Sequence, residues 1–280
     1  MLINVLSYNV SWATQVNKVL GTEADFVDGC QHKYKEGGFT CNEKAIKNIG
    51  KLDSLDLVGL QEVNSHIEEK IMKIQPKLTK FKRSKVDREL SSILWNPLIF
   101  GKLIADETIN LIDGDDRPCL ILVLQKEEQI FVIINLHAPG PFDEKKSIVQ
   151  NILNKHITKN SVIREHIFNK DAKIIILGDF NDNKTSVNSN SPLLITNTKT
   201  KKQIKLRYNK SKKQSKKTLK SCCWHKSGHK YGYFKDTGDY ILVNENIKQH
   251  SIMIPPIFKK AGRPNRLFSD HMPVFSVLEI

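Results

Sequence analysis

Two apolar runs, Cys119 to Leu124 and Ile130 to Leu136, are separated by five residues, and this spacing constrains the fold more than any other feature. A parallel crossover needs a dozen or more residues, so neighbours this close pair antiparallel. Other short runs rich in Val, Ile and Leu cover Leu2 to Asn9, Asp56 to Gln61, Ser91 to Trp95, Lys173 to Leu177, Tyr240 to Val243 and Val274 to Leu278. Apolar residues recur at helical spacing over Asn42 to Leu52, Ser65 to Ile74 and Asp143 to Phe168. The pattern predicts a mixed α/β domain with much antiparallel pairing and excludes a purely doubly wound parallel sheet.

The chain has 280 residues, 39% of them hydrophobic, enough for one substantial core, and we expect a single domain over 1–280. It opens directly on the strand-like Leu2 to Asn9, which leaves no room for a signal peptide, and no run approaches the roughly 20 apolar residues of a membrane-spanning helix. Five cysteines, two of them adjacent, suit reduced thiols better than a disulfide framework. The expectation is an intracellular protein, cytoplasmic or nuclear.

Charge is concentrated. Of the 44 Lys and Arg, 15 fall between Asn183 and Lys235, where there is no Asp or Glu, so the remainder is close to neutral. The stretch at about 184–221, densest from Lys199 to Lys220, shows little hydrophobic periodicity and reads as a long solvated basic insertion. Such a field attracts phosphates, although a solubilising loop would have the same composition.

Polar residues collect where the apolar runs end. Asn9 closes the first run, Glu62 the second, His137 the run before Ala138-Pro139, and Asp179 and Asn181 the run Lys173 to Leu177; Asp239 opens a strand, and Asp270-His271 precedes the last. Carboxylates with amides suit a hard, oxygen-preferring cation such as Mg²⁺, and imidazoles beside it suit proton transfer or stabilisation of a phosphoryl oxygen. Taken singly, most such residues are turn or capping residues; their number and placement favour phosphoester hydrolysis.

In order, the chain carries Ser-Tyr-Asn-Val, Leu-Gln-Glu-Val, Asn-Leu-His-Ala-Pro, Gly-Asp-Phe-Asn, Gly-Asp-Tyr and Ser-Asp-His, a series spanning Asn9 to His271. Each motif alone is weak, but the ordered set resembles the endonuclease/exonuclease/phosphatase superfamily, of which deoxyribonuclease I is one branch. The resemblance implies a four-layer α/β/β/α sandwich of two mostly antiparallel sheets flanked by helices, with the site at one end. It further implies Glu62 as the principal metal carboxylate, with Asn9 and Asp270 near the same ion, which would be Mg²⁺ with Mn²⁺ able to substitute. Asp179 and Asn181 would position the attacking water and bind phosphate. Asp239 would orient His271 as general base or phosphoryl-oxygen partner, and His137 would face the scissile phosphate or protonate the leaving oxygen. A neutral-range imidazole predicts activity that depends on pH between roughly 6 and 9.

Departures narrow the substrate. The apurinic-site endonuclease branch commonly has an acid two residues after the first-strand Asn, where this chain has Ser11 followed by Trp12, and usually lacks a histidine at the place of His137. Lys259, Lys260, Arg263 and Arg266 lead into Ser269-Asp270-His271, and with Trp12 they are candidate substrate contacts. Trp224, Tyr231, Tyr233 and Phe234 could stack on bases, while Trp95 within Ile93-Leu94-Trp95 reads as core. The reading is a metal-dependent phosphodiesterase acting on nucleic acid or a nucleotide-like phosphodiester. The alternatives are a phosphatase of inositol phosphates or phosphoinositides, and an inactive polyanion-binding protein on the same scaffold. Cys222, Cys223, His225 and His229 form a thiol and imidazole cluster, but their spacing fits no standard zinc finger, and ordinary packing is the expectation.

Overall fold

The computed structural model describes residues 1–10, 40–63, 67–84, 90–112, 117–169, 171–182, 192–207, 221–225, 233–236, 238–255, 269 and 271–280; side chains of 40–44, 222–225 and 233–236 are not described. In chain order the strands are β1 (Leu2–Asn9), β2 (Leu57–Val63), β3 (Lys80–Arg83), β4 (Leu90–Trp95), β5 (Lys102–Asn110), β6 (Pro118–Lys126), β7 (Gln129–His137), β8 (Lys173–Asp179), β9 (Leu193–Thr196), β10 (Gln203–Leu206), β11 (Cys222–His225), β12 (Tyr233–Asp236), β13 (Asp239–Val243), β14 (Lys248–Met253) and β15 (Val274–Glu279). The helices are α1 (Thr40–Ile49), α2 (Ile67–Ile74), α3 (Pro97–Phe100), α4 (Phe142–Lys159) and α5 (Ser161–Ile167).

Six strands form one sheet in the order β14-β15-β1-β2-β4-β3, and five form a second in the order β13-β8-β7-β6-β5. Each sheet is antiparallel except for one parallel pair, β1 with β2 and β7 with β8. The sheets stack face to face, with β1 and β2 against β7 and β8. Period-two alternation divides their residues. Ile3 and Val5 of β1 and Leu57 of β2 face the second sheet, whereas Leu6, Tyr8, Val58 and Leu60 pack outward against Ile46 and Ile49 of α1 and Ile67 and Ile71 of α2. On the far side, Val149, Leu153 and Ile157 of α4 and Ile163 and Ile167 of α5 cover the five-stranded sheet. The result is the four-layer α/β/β/α sandwich.

The sheets approach closely near the site. A Cβ on Gly59 of β2 would lie 2.7 Å from the Leu177 side chain and 3.0 Å from Asn135 Oδ1, so glycine is what fits between the layers. Beside it Gln61 donates to Asn135 Oδ1 at 2.6 Å, while the Asn135 amide donates to the carbonyls of Leu60 (2.8 Å) and Ser92 (2.9 Å). This buried amide pair ties one sheet to the other.

Two expectations need correction, and one strand of the second sheet went unpredicted. The helix predicted over Asp143 to Phe168 is two helices, because Asn160 leaves helical geometry at ψ 109° and its side chain caps α5 by accepting from Ile163 N. The stretch at about 184–221 is not wholly solvated: β9 and β10 form a hairpin that buries Leu193, Ile195 and Leu206 in the main core. Strand β5 carries charges between its apolar residues on a half-exposed sheet edge, which hid it in the sequence. Trp95 is buried with its indole N–H donating to the Gly101 carbonyl, as core. No helix among the described residues is long and apolar enough to cross a membrane.

Candidate active site

Strand register builds the site. His137 pairs with Asp179 across the parallel β7–β8 ladder, and Asp179 pairs with Asp239 across the antiparallel β8–β13 ladder, so three neighbouring strands present these residues side by side. Asn135 and Leu177 face the first sheet, so alternation points His137 and Asp179 the same way, and direct pairing adds Asp239. From the opposite sheet, Asn9 lies on the same face of β1 as Ile3 and Val5.

Glu62 breaks the alternation. With Leu60 facing the helices and Gln61 facing the second sheet, the next side chain should return to the helix side. Instead the β2–β4 pairing slips between Leu60 and Val63, and Glu62 takes a left-handed φ of 56°. The bulge turns Glu62 inward, where Oε1 accepts from Asn9 Nδ2 at 2.8 Å and lies 3.7 Å from His137 Nε2. A non-glycine residue held in the left-handed region carries backbone strain of the kind found at functional positions.

Asp179 is the centre. It is fully buried; Oδ2 accepts from Asn9 Nδ2 at 3.0 Å and Oδ1 from Asn181 N at 2.8 Å. His137 Nε2 and His271 Nε2 stand 3.6 and 3.5 Å from Oδ2. Burial pushes the Asp179 carboxyl up, but the two imidazoles, the Asn9 amide and the Asn181 N–H outweigh it and hold its pKa below the usual value. Asp239 is treated differently. Burial dominates, Asp179 adds repulsion, and the His271 contact offsets this only in part, so its pKa is raised to about 6. Asp239 Oδ2 lies 3.1 Å from His271 Nδ1, which leaves Nε2 aimed at Asp179.

Two serines hold this arrangement. Ser269 donates to the Asn9 carbonyl at 2.7 Å and accepts from His271 N at 3.1 Å, joining the end of β1 to the histidine. Ser221 Oγ accepts from Asp239 N at 3.1 Å, and its carbonyl accepts from Met272 N at 2.7 Å. Asn181, with φ 48°, spends its amide N–H on the Ala138 carbonyl at 2.9 Å and so fixes the loop after His137.

Of the candidates named from sequence, Asn9, Glu62, His137, Asp179, Asn181, Asp239 and His271 come together here. Asp270, Trp12, Lys259, Lys260, Arg263 and Arg266 lie outside the described residues, as do the side chains of Cys222, Cys223, Trp224, His225, Tyr233 and Phe234, and residues Tyr231 and His229. Sequence reasoning missed Arg117, whose guanidinium is within hydrogen-bond reach of the His137 ring, and Ser221, and it gave Ser269 no role beyond its place in the Ser-Asp-His motif. Arg117 sits 20 positions before His137, and only the β6–β7 hairpin brings the two together.

The donor set fits a small hard cation. Ligand atoms of Glu62, His137 and Asp179 lie within 4.8 Å of one another, as do those of Asp179, Asp239 and His271. Among the described residues of the site Glu62 is the most accessible carboxylate, with 17% of its side chain exposed against 1% for Asp179. Glu62 leaves room on its open side for the waters such an ion retains, with the Asn9 amide buried behind it.

No family sequence model and no curated protein sequence matches the chain. Solved structures do. An endonuclease/exonuclease/phosphatase from Bacteroides vulgatus superposes with a TM-score of 0.63 at 15% identity, covering 100% of this chain and 99% of that one. ANGEL2, described as a 2′,3′-cyclic phosphatase, gives 0.63 at 15% identity, covering 99% and 95%. D. rerio TDP2 complexed with a single-strand DNA product gives 0.59 at 17% identity, covering 100% and 99%. At these identities the likeness concerns the fold, and the chain has the fold of the endonuclease/exonuclease/phosphatase superfamily.

Proposed function

We propose that this protein is a metal-dependent phosphodiesterase whose substrate is nucleic acid. The observation that carries the reading is the convergence of Asn9, Glu62, His137, Asp179, Asp239 and His271 at one end of the sandwich, with two imidazoles on one buried carboxylate. The TDP2 neighbour with its DNA product and the run of basic residues after Asn183 support nucleic acid over a small phosphate ester.

Glu62 and Asn9, joined by Asp270 on the strength of its place in the Ser-Asp-His motif, would hold the cation, Mg²⁺ or Mn²⁺, which when bound would neutralise charge on a phosphoryl oxygen and the leaving alkoxide. Asp179, kept ionised by its partners, orients the attacking water for in-line displacement. His271, its Nδ1 held by Asp239, presents Nε2 to that water or to a phosphoryl oxygen. Arg117, against the His137 ring, brings positive charge to the opposite side of Asp179, where a scissile phosphate would sit.

End-labelled single- and double-stranded DNA and RNA, incubated with Mg²⁺ or EDTA, test the reading. Cleavage that needs the metal and falls at least 10³-fold in Glu62→Ala and His271→Ala is the expected result. Folded protein that cleaves none of the four, yet releases phosphate from inositol phosphates, would replace nuclease with phosphatase.

A further inference from the structure

At the end of the sandwich away from the carboxylates, an open cleft of about 530 Å³ lies between the β9–β10 hairpin, the β13–β14 turn and the loop entering β8. Lys202, Lys205, Arg207 and Lys248 line it, against the single carboxylate of Glu245. All five are exposed. Lys202 donates to the Phe168 carbonyl, and Lys248 meets Glu279 at 3.1 Å in an exposed pair that contributes little and exchanges readily. Lys205 and Arg207 make no side-chain hydrogen bond or ion pair among the described residues.

The frame beneath these cations is fixed. Arg207 and Val243 exchange both backbone hydrogen bonds, at 2.9 and 3.1 Å, and the amides of Asn244 and Asn246 each donate to the Ala172 carbonyl at 2.8 Å. Leu206, between Lys205 and Arg207, is buried in the core. Binding an anion here orders side chains but no backbone, which keeps its entropic cost small. A concave site of one charge sign also focuses its field, and an arginine fork matches phosphate oxygens.

The cleft and the active site are joined along β8 and β13. Ile174 and Val243 mark the cleft end, Asp179 and Asp239 the other, about 15 Å away at the usual rise per residue. The sequence from Arg207 at one end to Ser221 at the other carries Lys210, Lys212, Lys213, Lys216, Lys217 and Lys220 and no acid.

We propose that the cleft is a second, non-catalytic phosphate-binding site that holds a distal phosphate of the same single nucleic-acid strand whose scissile phosphate lies beside Asp179. The proposal rests on the nuclease reading above. A duplex, stiff over about 150 base pairs, cannot turn from one end of the sandwich to the other, whereas a single strand can bend over that distance.

Fluorescence anisotropy of the full chain in EDTA, with labelled 15-nucleotide and 4-nucleotide oligothymidylates, tests it against Lys205→Glu/Arg207→Glu and Lys205→Gln/Arg207→Gln. Because both side chains are exposed, unchanged thermal midpoints are expected. Affinity for the 15-mer at about 50 mM salt should fall roughly tenfold or more, with the slope against log salt shallower by about 1.4, two phosphate contacts' worth. Binding and Mg²⁺-dependent cleavage of the 4-mer should not change. Wild-type affinity and slope for the 15-mer in both variants would overturn the proposal. The same loss of binding in a protein whose wild type cleaves neither oligonucleotide would uphold the cleft and sink the nuclease reading.

Discussion

Asp239 and Asp179 sit on adjacent strands with opposite shifts, and the signs lead to different pH behaviour. A depressed carboxyl such as Asp179 adds stability above the usual carboxylate range and loses it as pH falls through the folded-state pKa. Asp239 works the other way. With its pKa raised from 3.8 to about 6, the folded chain keeps a proton that the unfolded chain releases, so its contribution is full below about pH 4 and is lost as pH rises through 6. Asn has the shape of the protonated acid. Chemical denaturation at pH 4 and pH 7 should therefore find Asp239→Asn gaining on the wild type by on the order of 2 kcal/mol across that interval, while activity falls because His271 loses its ionic partner. Parallel stability profiles for the two proteins would mean that Asp239 is not held protonated by burial.

At the scale of elements, the strand ends were legible because each apolar run stops at a polar residue and alternation assigns it a face: Asn9, His137, Asp179 and Asp239 needed no more than that. The inward turn of Glu62 was not, since parity alone sends it to the helix side and only the bulge reverses it. The β9–β10 hairpin was missed because its strands are only four residues long and set among basic and polar residues, and burial of Leu193, Ile195 and Leu206 depends on a sheet distant in sequence. Arg117, Ser221 and Ser269 act through contacts that no local pattern encodes. Gly178, by contrast, has a reason visible only in the ladder. A Cβ there would lie 2.3 Å from the Leu136 carbonyl oxygen, which belongs to backbone and cannot swing away. Gly178→Ala must push β8 from β7 between His137 and Asp179, and we expect a loss of about 2–4 kcal/mol in denaturant unfolding together with at least a tenfold drop in cleavage. A variant as active and stable as wild type would show that this ladder has slack.

The site belongs to neither sheet alone. One sheet supplies Asn9, Glu62 and, through the loop before β15, His271; the other supplies His137, Asp179 and Asp239. Their separation must hold to a fraction of an ångström, because Asn9 Nδ2 touches carboxylates from both at 2.8 and 3.0 Å. An apolar interface fixes spacing but lets sheets slide, whereas the Gln61–Asn135 pair is directional and lies one residue from Glu62 and two from His137. Asn135→Leu tests this whole-molecule role. It removes the short bond from Gln61 Nε2, which keeps only Ser7 Oγ at 3.4 Å, and the amide donor to the Leu60 and Ser92 carbonyls, weakening a buried polar set by about 1–3 kcal/mol before relaxation. If the pair sets the register of the two sheets, the variant will lose kcat at temperatures well below its unfolding transition, with little change in KM, because substrate still binds but Glu62 and Asp179 no longer meet across the same gap. Full kcat in the folded variant would mean that packing around Gly59 is sufficient to align the halves.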